Sequence, residues 1–277
     1  MPRRKKAPFV LIYDFDGTLS PGNMQEYNFV PKLGVTPKEF WQKAKESAKK
    51  HQADEILAYM RLMIEEANQK GIPISKQNFA DFGKNIEFFP GVDTWFDRIN
   101  EYGKKKGIDV KHYIISSGLR EMIQGTSIAK YFSKIYASGF MFDHNQIAYW
   151  PALAVNYTTK TQYLFRINKN SLDEHDNSVI NKFTPHNERP VPFKNMVFIG
   201  DGETDIPCMR LVKDLGGHSI AVYHKGKRGA LGKAKKLIEE GRATLALPAD
   251  YTNESDIEKA VMAMIDKIAS DNILAKL

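Results

Sequence analysis

The sequence predicts an α/β fold: a doubly wound parallel sheet with a block of helices inserted after the first strand. Three observations carry this. From residue 88 onward short apolar segments alternate with amphipathic helical ones, the pattern of a parallel sheet covered on both faces. Two strands far apart in the chain, Val10 to Tyr13 and Met196 to Ile199, each run straight into a turn of glycine and aspartate. Residues 23 to 87 hold helix signals and no strand, too long a stretch for one crossover connection.

Val10, Leu11, Ile12 and Tyr13 are apolar strand formers, and Asp14, Asp16, Gly17 and Thr18 follow at once. An extended chain has a period of two, so Asp14 and Asp16 point the same way and repel. A cation beside them, or one shared proton, relieves that. Gly17 permits a sharp turn of the backbone, and Thr18 sets a hydroxyl near both acids. A simple Asx-type turn would use the same residue types. It leaves the second turn unexplained, where Gly200, Asp201, Gly202, Glu203 and Asp205 follow another apolar strand. Two such ends suggest one acidic site at the carboxyl edge of the sheet, where open α/β sheets bind ligands.

In the inserted block, Thr36-Pro37-Lys38-Glu39 reads as a helix start with Thr36 as its cap. Residues 54 to 70 place Ile56, Leu57, Met60, Met63 and Ile64 at helical spacing and stop at Gly71 and Pro73. Ser75 caps a third helix ending near Lys84. The chain re-enters the sheet through Phe88 to Val92, and a helix over 92–102 turns Trp95, Phe96 and Ile99 to one side. A strand over 112–115 ends in Ser116-Ser117-Gly118, before a helix starting near Leu119. A hairpin over 135–155 turns through Asp143 to Gln146, and a helix over 157–167 opens at Thr158-Thr159-Lys160. Residues 168–194 are polar, carry Pro185, Pro190 and Pro192, and read as a long loop or a small insertion. Helices over 206–215, 230–240 and 255–269 alternate with strands over 220–223 and 243–247.

Composition is that of an ordinary globular protein, with 42% hydrophobic and 26% charged residues. A single cysteine, Cys208, excludes an intrachain disulfide and agrees with a reducing compartment. No apolar run reaches the roughly 18–20 residues of a membrane span, and the stretch behind the basic N-terminus is too short for a signal sequence. A cytoplasmic location is the expectation. The net charge of +7 gathers in Arg3 to Lys6, Lys104 to Lys106 and Lys225 to Lys236. Such runs are most often solvated faces, though they also attract phosphorylated metabolites or nucleic acid.

The chain resembles the haloacid dehalogenase-type hydrolase superfamily, whose first signature, DxDx(T/V), is matched by Asp14 to Thr18 and whose last, GDxxxD, by Gly200 to Asp205. In motif style it is most similar to the phosphoserine-phosphatase-like branch. The resemblance implies a Rossmann-like core, 1–20 and 88–277, with residues 21–87 as a helical cap. It implies a magnesium-dependent phosphatase acting on a small phosphorylated metabolite through an aspartyl-phosphate. Asp14 would then be the nucleophile, and Asp16 the acid that protonates the leaving oxygen and later activates water. Thr18 would steer Asp16 by a hydrogen bond.

Mg2+ is a hard cation that takes oxygen ligands. The family pattern gives it carboxylates of Asp14 and Asp201 and the backbone carbonyl of Asp16, with Asp205 a direct ligand or an outer partner. Glu203 is expected to be a solvated turn residue. Ser116, with Ser117 as its rival, would donate to a phosphate oxygen beside the free amides of a helix start. Lys160 is the chosen phosphate lysine, with Lys182 and Lys194 as rivals. Glu26, Tyr27 and Arg61 are candidate selectors of substrate.

Other chemistries fit less well. His112, His144, His175 and His186 have neither zinc-ligand spacing nor cysteine partners. Asp201 to Glu203 lacks the glutamate of a calcium loop, and Lys225 to Gly229 lacks the spacing of a nucleotide phosphate loop. Asp16 argues against dehalogenation, and the missing membrane spans argue against a transporting ATPase. A phosphomutase or other phosphotransferase, a phosphonate hydrolase, and a nucleic-acid-binding end-phosphatase remain as alternatives. Oligomeric state is not legible.

Overall fold

In the computed structural model, which describes residues 6–275, the chain forms a seven-stranded sheet with helices on both faces. The elements are β1 (Ala7–Tyr13), α1 (Met24–Tyr27), α2 (Phe29–Lys32), α3 (Pro37–His51), α4 (Glu55–Lys70), α5 (Lys76–Gly83), α6 (Val92–Lys105), β2 (Ile108–Leu119), α7 (Arg120–Gln124), β3 (Phe132–Phe142), β4 (Ala148–Leu153), α8 (Lys160–Lys169), β5 (Met196–Gly200), α9 (Ile206–Asp214), β6 (His218–Tyr223), α10 (Ala230–Glu239), β7 (Leu245–Pro248) and α11 (Asp256–Leu274).

Strand order is β4-β3-β2-β1-β5-β6-β7, and every pairing is parallel except β3 with β4. From β1 the chain builds outward through β2 and β3, then returns to lay β5 against the other side of β1. The order reverses there, so the crevice of this sheet opens at the carboxyl ends of β1 and β5. The amide of Asp14 donates to the carbonyl of Ile199 over 2.9 Å and ties the two ends together.

Strand β1 is central because it is apolar on both faces. Phe9, Leu11 and Tyr13 join one buried cluster, and Val10 and Ile12 the other. Fully burying one such side chain contributes about 1.5–3 kcal/mol. The first cluster packs Trp95, Phe96 and Ile99 of α6 and Val261 and Ile265 of α11. It continues without a break into Phe40, Met60, Met63 and Phe79 of the helical block. The second cluster packs Tyr163, Leu164 and Ile167 of α8 against Cys208, Met209 and Val212 of α9.

Between β1 and α6 the chain forms the helices α1 to α5 and, apart from isolated bridges such as Ser75 with Ile147, no strand. Thr36 and Glu39 form a capping box at α3, Asp54 accepts from the amides of Ile56 and Leu57 at α4, and Ser75 and Asn78 form a second box at α5. The helix α4 stops at Gly71 in a left-handed conformation. Block and core also touch through backbone: Lys76 donates to Gln146 and Ala148 donates to Ile74.

Two expectations need correction. Strand β2 is longer than residues 112–115, because pairing with β1 and β3 recruits its polar flanks. The helix expected near Leu119 is the five-residue α7 only. Of the two readings of residues 168–194 the long loop holds: Asn168 and Lys169 still belong to α8, and the rest is irregular apart from short 3-10 turns at His186–Glu188 and Phe193–Asn195, organised by one buried cation. The Arg166 guanidinium donates to the carbonyls of Asp173, Glu174 and Asp176 and to Asn177 Oδ1, at 2.7 to 3.0 Å. No helix among the described residues is long and apolar enough to cross a membrane.

Candidate active site

The loop after β1 closes on itself: Gly17 donates to the carbonyl of Ser20, and Leu19 and Ser20 donate to that of Phe15. This requires a left-handed residue at 17, where Gly17 has φ +76°. A side chain there is excluded twice, because an added Cβ would lie 2.2 Å from Asp201 Oδ2. Asp16 is half-buried, and its Oδ1 accepts from the amide of Met24 at 3.0 Å.

From the second turn, Asp205 is fully buried where α9 begins. Its Oδ2 accepts from the amide of Gly202 at 3.3 Å, and its Oδ1 from Lys160 Nζ at 2.7 Å. Lys160, at the first turn of α8, is also fully buried and sets Nζ 3.2 Å from Asp14 Oδ1. That oxygen nevertheless has no hydrogen-bond partner among the described residues. Asp14, Asp201 and Asp205 each place a carboxylate oxygen within 4.8 Å of the others.

The electrostatics follow from the crowding. Desolvation and then the neighbouring Asp14 push Asp16 well above the usual carboxylate range. Asp201 is pushed up to about 8, by desolvation first and then by Asp205 and Asp14. Its side chain keeps contact with solvent, which discounts the desolvation part and leaves the like charges as the firmer cause. Burial and Asp14 raise Asp205, with Lys160 pulling the other way. Burial alone would lower the Lys160 ammonium, but Asp14 and Asp205 outweigh it and hold it above its ordinary value. Three converging carboxylates, all oxygen donors and one with an unfilled valence, suit a hard divalent cation.

The expected residues are distributed unevenly. Asp14, Asp16, Ser116, Ser117 and Asp201 line one cavity of about 460 Å³, and Lys160 and Asp205 lie beneath it. Ser116 Oγ accepts from the amide of Gly118 at 3.1 Å, while Ser117 Oγ is buried with no partner among the described residues. Residues 116–118 are the irregular end of β2, where the pairing with β3 shifts register, and not a turn opening a long helix. Thr18 is fully buried and no wall of the cavity. Its Oγ1 has no partner among the described residues, so the expected bond to Asp16 is replaced by that of the Met24 amide. Lys182 and Lys194 are exposed and line no part of this cavity, and Glu203 is an exposed turn residue.

Of the three candidate selectors only Glu26 is a wall, held by Asn23 Nδ2 and Trp41 Nε1, each at 2.6 Å. Arg61 points outward to Glu65, and Tyr27 accepts from Ser20 Oγ. The helical block supplies further walls that pattern reading missed: Gln25, Trp41, Lys45, Glu55 and Tyr59. The Tyr59 hydroxyl donates to the carbonyl of Ser117 at 2.8 Å, and Ser138 Oγ donates to the same carbonyl at 3.2 Å. The basic runs are partly spent on acids: Lys105 pairs with Glu101, Lys106 with Asp266, Lys225 with Asp250 and Lys236 with Glu240. Arg3 to Lys5 lie outside the described residues.

Comparison with known proteins agrees with this geometry. A protein of Borreliella burgdorferi, described as uncharacterized, is 32% identical over 282 residues, 92% of this chain and 95% of its own length. The fold is shared with a haloacid dehalogenase family hydrolase of Salmonella enterica serovar Typhi, with a TM-score of 0.56 and 18% identity over 92% of this chain and 74% of that one. It is also shared with a phosphoserine phosphatase solved as a phospho-aspartyl intermediate analogue, with a TM-score of 0.54 and 16% identity over 92% and 97%. Residues 11–210, which hold both aspartate turns and Lys160, match the sequence profile of the haloacid dehalogenase-like hydrolases, and the chain belongs to that family.

Proposed function

We propose that this chain hydrolyses a small phosphomonoester in a magnesium-dependent reaction, through an aspartyl-phosphate on Asp14. The observation that carries the reading is the convergence of Asp14, Asp201 and Asp205 beside a fully buried Lys160, at the switch point of the sheet. The phosphoserine phosphatases of the same fold point the same way.

Asp14 attacks phosphorus, and the bond from phosphorus to the leaving oxygen breaks as Asp16 gives that oxygen its proton. Asp16, now a carboxylate, takes a proton from water; the water oxygen bonds to phosphorus and the bond to Asp14 breaks. The upward push on Asp16 favours the protonated start this requires. Lys160 keeps fixed positive charge beside the nucleophile, and Ser116, with Ser117 as its rival, presents a hydroxyl to a phosphoryl oxygen. Asp14, Asp201 and the backbone carbonyl of Asp16, with Asp205 beside them, would hold magnesium, which supplies positive charge toward the phosphoryl oxygens. Residues 21–87 act as the cap and 1–20 with 88–277 as the core, so the block's walls choose the leaving group.

Phosphate release from a panel of phosphometabolites, with magnesium and with EDTA, tests the reading. Expected are turnover of at least one monoester, its loss in EDTA and its loss in Asp14→Asn. No turnover across the panel, or turnover that survives Asp14→Asn, overturns it.

A further inference from the structure

A cavity of about 480 Å³ lies between α8 and the long loop that follows it, and shares no residue with the active-site cavity. Three cations line it, Arg166 and Lys169 from α8 and Arg189 from the loop, and no acid does. Each is held by uncharged acceptors. Arg166 is 4% exposed and binds the loop carbonyls already described. Lys169 Nζ donates to the carbonyls of Ile180 and Lys182, at 2.6 and 2.7 Å. Arg189 donates from Nε to the carbonyl of Thr184 and from Nη1 to Asn168 Oδ1, both at 3.2 Å. The acids of the same loop are turned elsewhere: Asp173 and Glu174 pair with Lys134, and Asp176 Oδ1 accepts from Ser178. No carboxylate among the described residues pairs with any of the three cations. Lys169 and Arg189 are half-buried while Phe165 and Asn181 are exposed, so the cavity is open to solvent.

Carbonyl and amide oxygens satisfy donors but carry no net charge, so three like charges around one cleft keep their field. Nη2 of Arg189 has no acceptor among the described residues, and an ammonium with two bonds, as at Lys169, has a third proton to give. What balances such a cleft is an anion of more than one charge. The other walls narrow its kind. Phe165 offers an exposed ring, Ile180 an apolar side, and Gln162 and Asn181 amides that both donate and accept. A bare inorganic ion would use none of these. We propose that this cavity binds a nucleoside di- or triphosphate, its phosphates on Lys169 and Arg189 and its base against Phe165, with Arg166 adding charge from the buried side. The volume matches that of small-molecule sites. The site stands apart from Asp14, so the nucleotide is a ligand here and not the ester being cleaved.

The test is titration calorimetry of the full chain with ATP, ADP, tripolyphosphate and adenosine, in EDTA to keep the metal-dependent centre out of the titration. Expected is one site for ATP or ADP, weakened at least about tenfold in Arg189→Gln and in Lys169→Gln. Tripolyphosphate should bind at least about tenfold more weakly than ATP, and adenosine not at all. Lys233→Gln removes the same charge from an exposed position on α10 and should change the affinity by less than about twofold. If Lys169→Gln, which releases two loop carbonyls, fails to fold, Arg189→Gln and Phe165→Leu carry the same expectation. No binding of either nucleotide overturns the proposal, and so does an affinity that survives these variants. A loss in Lys233→Gln as large as that in Arg189→Gln overturns it too, since the attraction would then belong to the net charge of +7. Tripolyphosphate binding as tightly as ATP does the same, because no base would be read.

Discussion

Asn156 Nδ2 donates to Asp54 Oδ2 over 2.7 Å, and each residue also organises a helix start. Asp54 caps α4 with its other oxygen, while Asn156 Oδ1 accepts from the amides of Thr158 and Thr159, just before Lys160. One hydrogen bond therefore joins the helical block to the helix that positions the buried lysine. Asn156→Ala is expected to lower kcat/KM roughly tenfold and stability by about 1–2 kcal/mol. A double-mutant cycle with Asp54→Ala should show coupling of about 1 kcal/mol. Strict additivity of the two variants would mean that the bond transmits nothing.

Gly17 is predicted to be irreplaceable. Alanine there must hold a left-handed backbone, at about 1–2 kcal/mol, and must also displace the Asp201 carboxylate 2.2 Å away. Gly17→Ala should keep its circular dichroism spectrum and lose more than roughly 100-fold in phosphate release, because charge stabilisation at the reacting centre depends on placement. Substantial activity in Gly17→Ala would show that Asp201 is free to shift and is not held to one position.

The parts of the site visible in the sequence are those written in local pattern. Asp14, Asp16, Asp201 and Asp205 follow apolar strands in glycine turns, and an extended strand end has few other uses for paired acids. Lys160 stood out because a cation at a helix start opposes the helix dipole. Its structural reason is the pair of acids it meets, one of them 45 positions later in the chain. Tyr59 and Trp41 could not be recognised, since an aromatic residue at helical spacing looks the same whether it faces a core or a cavity. The fold of 168–194 was equally hidden, because Arg166 binds backbone carbonyls, which every residue has. The Thr18 hydroxyl departs from its expected bond to Asp16 for a related reason: proximity in sequence says nothing about which way a turn points its hydroxyl.

Removing the Lys160 charge should uncouple stability from chemistry. Lys160→Met leaves Asp205, fully buried, with its strongest partner gone. Breaking such a pair costs about 3–5 kcal/mol, so the urea midpoint should fall sharply. Adding Asp205→Asn removes the stranded charge and should restore much of the midpoint while activity stays lost. A Lys160→Met variant as stable as the parent would mean that Asp205 takes up a proton at little cost.

His112 gives the fold an acid-sensitive point that is no wall of the active-site cavity. It is 1% exposed; Nδ1 lies 3.0 Å from the Tyr13 hydroxyl and Nε2 lies 3.0 Å from Asn100 Oδ1. The Asn100 oxygen can only accept, so Nε2 carries the proton and Nδ1 accepts from Tyr13, which fixes a neutral imidazole. Burial lowers its pKa from the ordinary 6.5 to about 3. Between those values the unfolded chain binds a proton that the folded chain refuses. Stability is thus complete above pH 6.5 and falls as the pH drops toward 3, by up to about 1.4 kcal/mol per pH unit. His112→Asn loses packing at neutral pH but also loses this penalty. The gap between parent and variant in urea unfolding should therefore narrow steadily from pH 7 to pH 4.5. A gap that stays constant over that range would show that His112 is protonated in the folded protein as easily as in the unfolded chain.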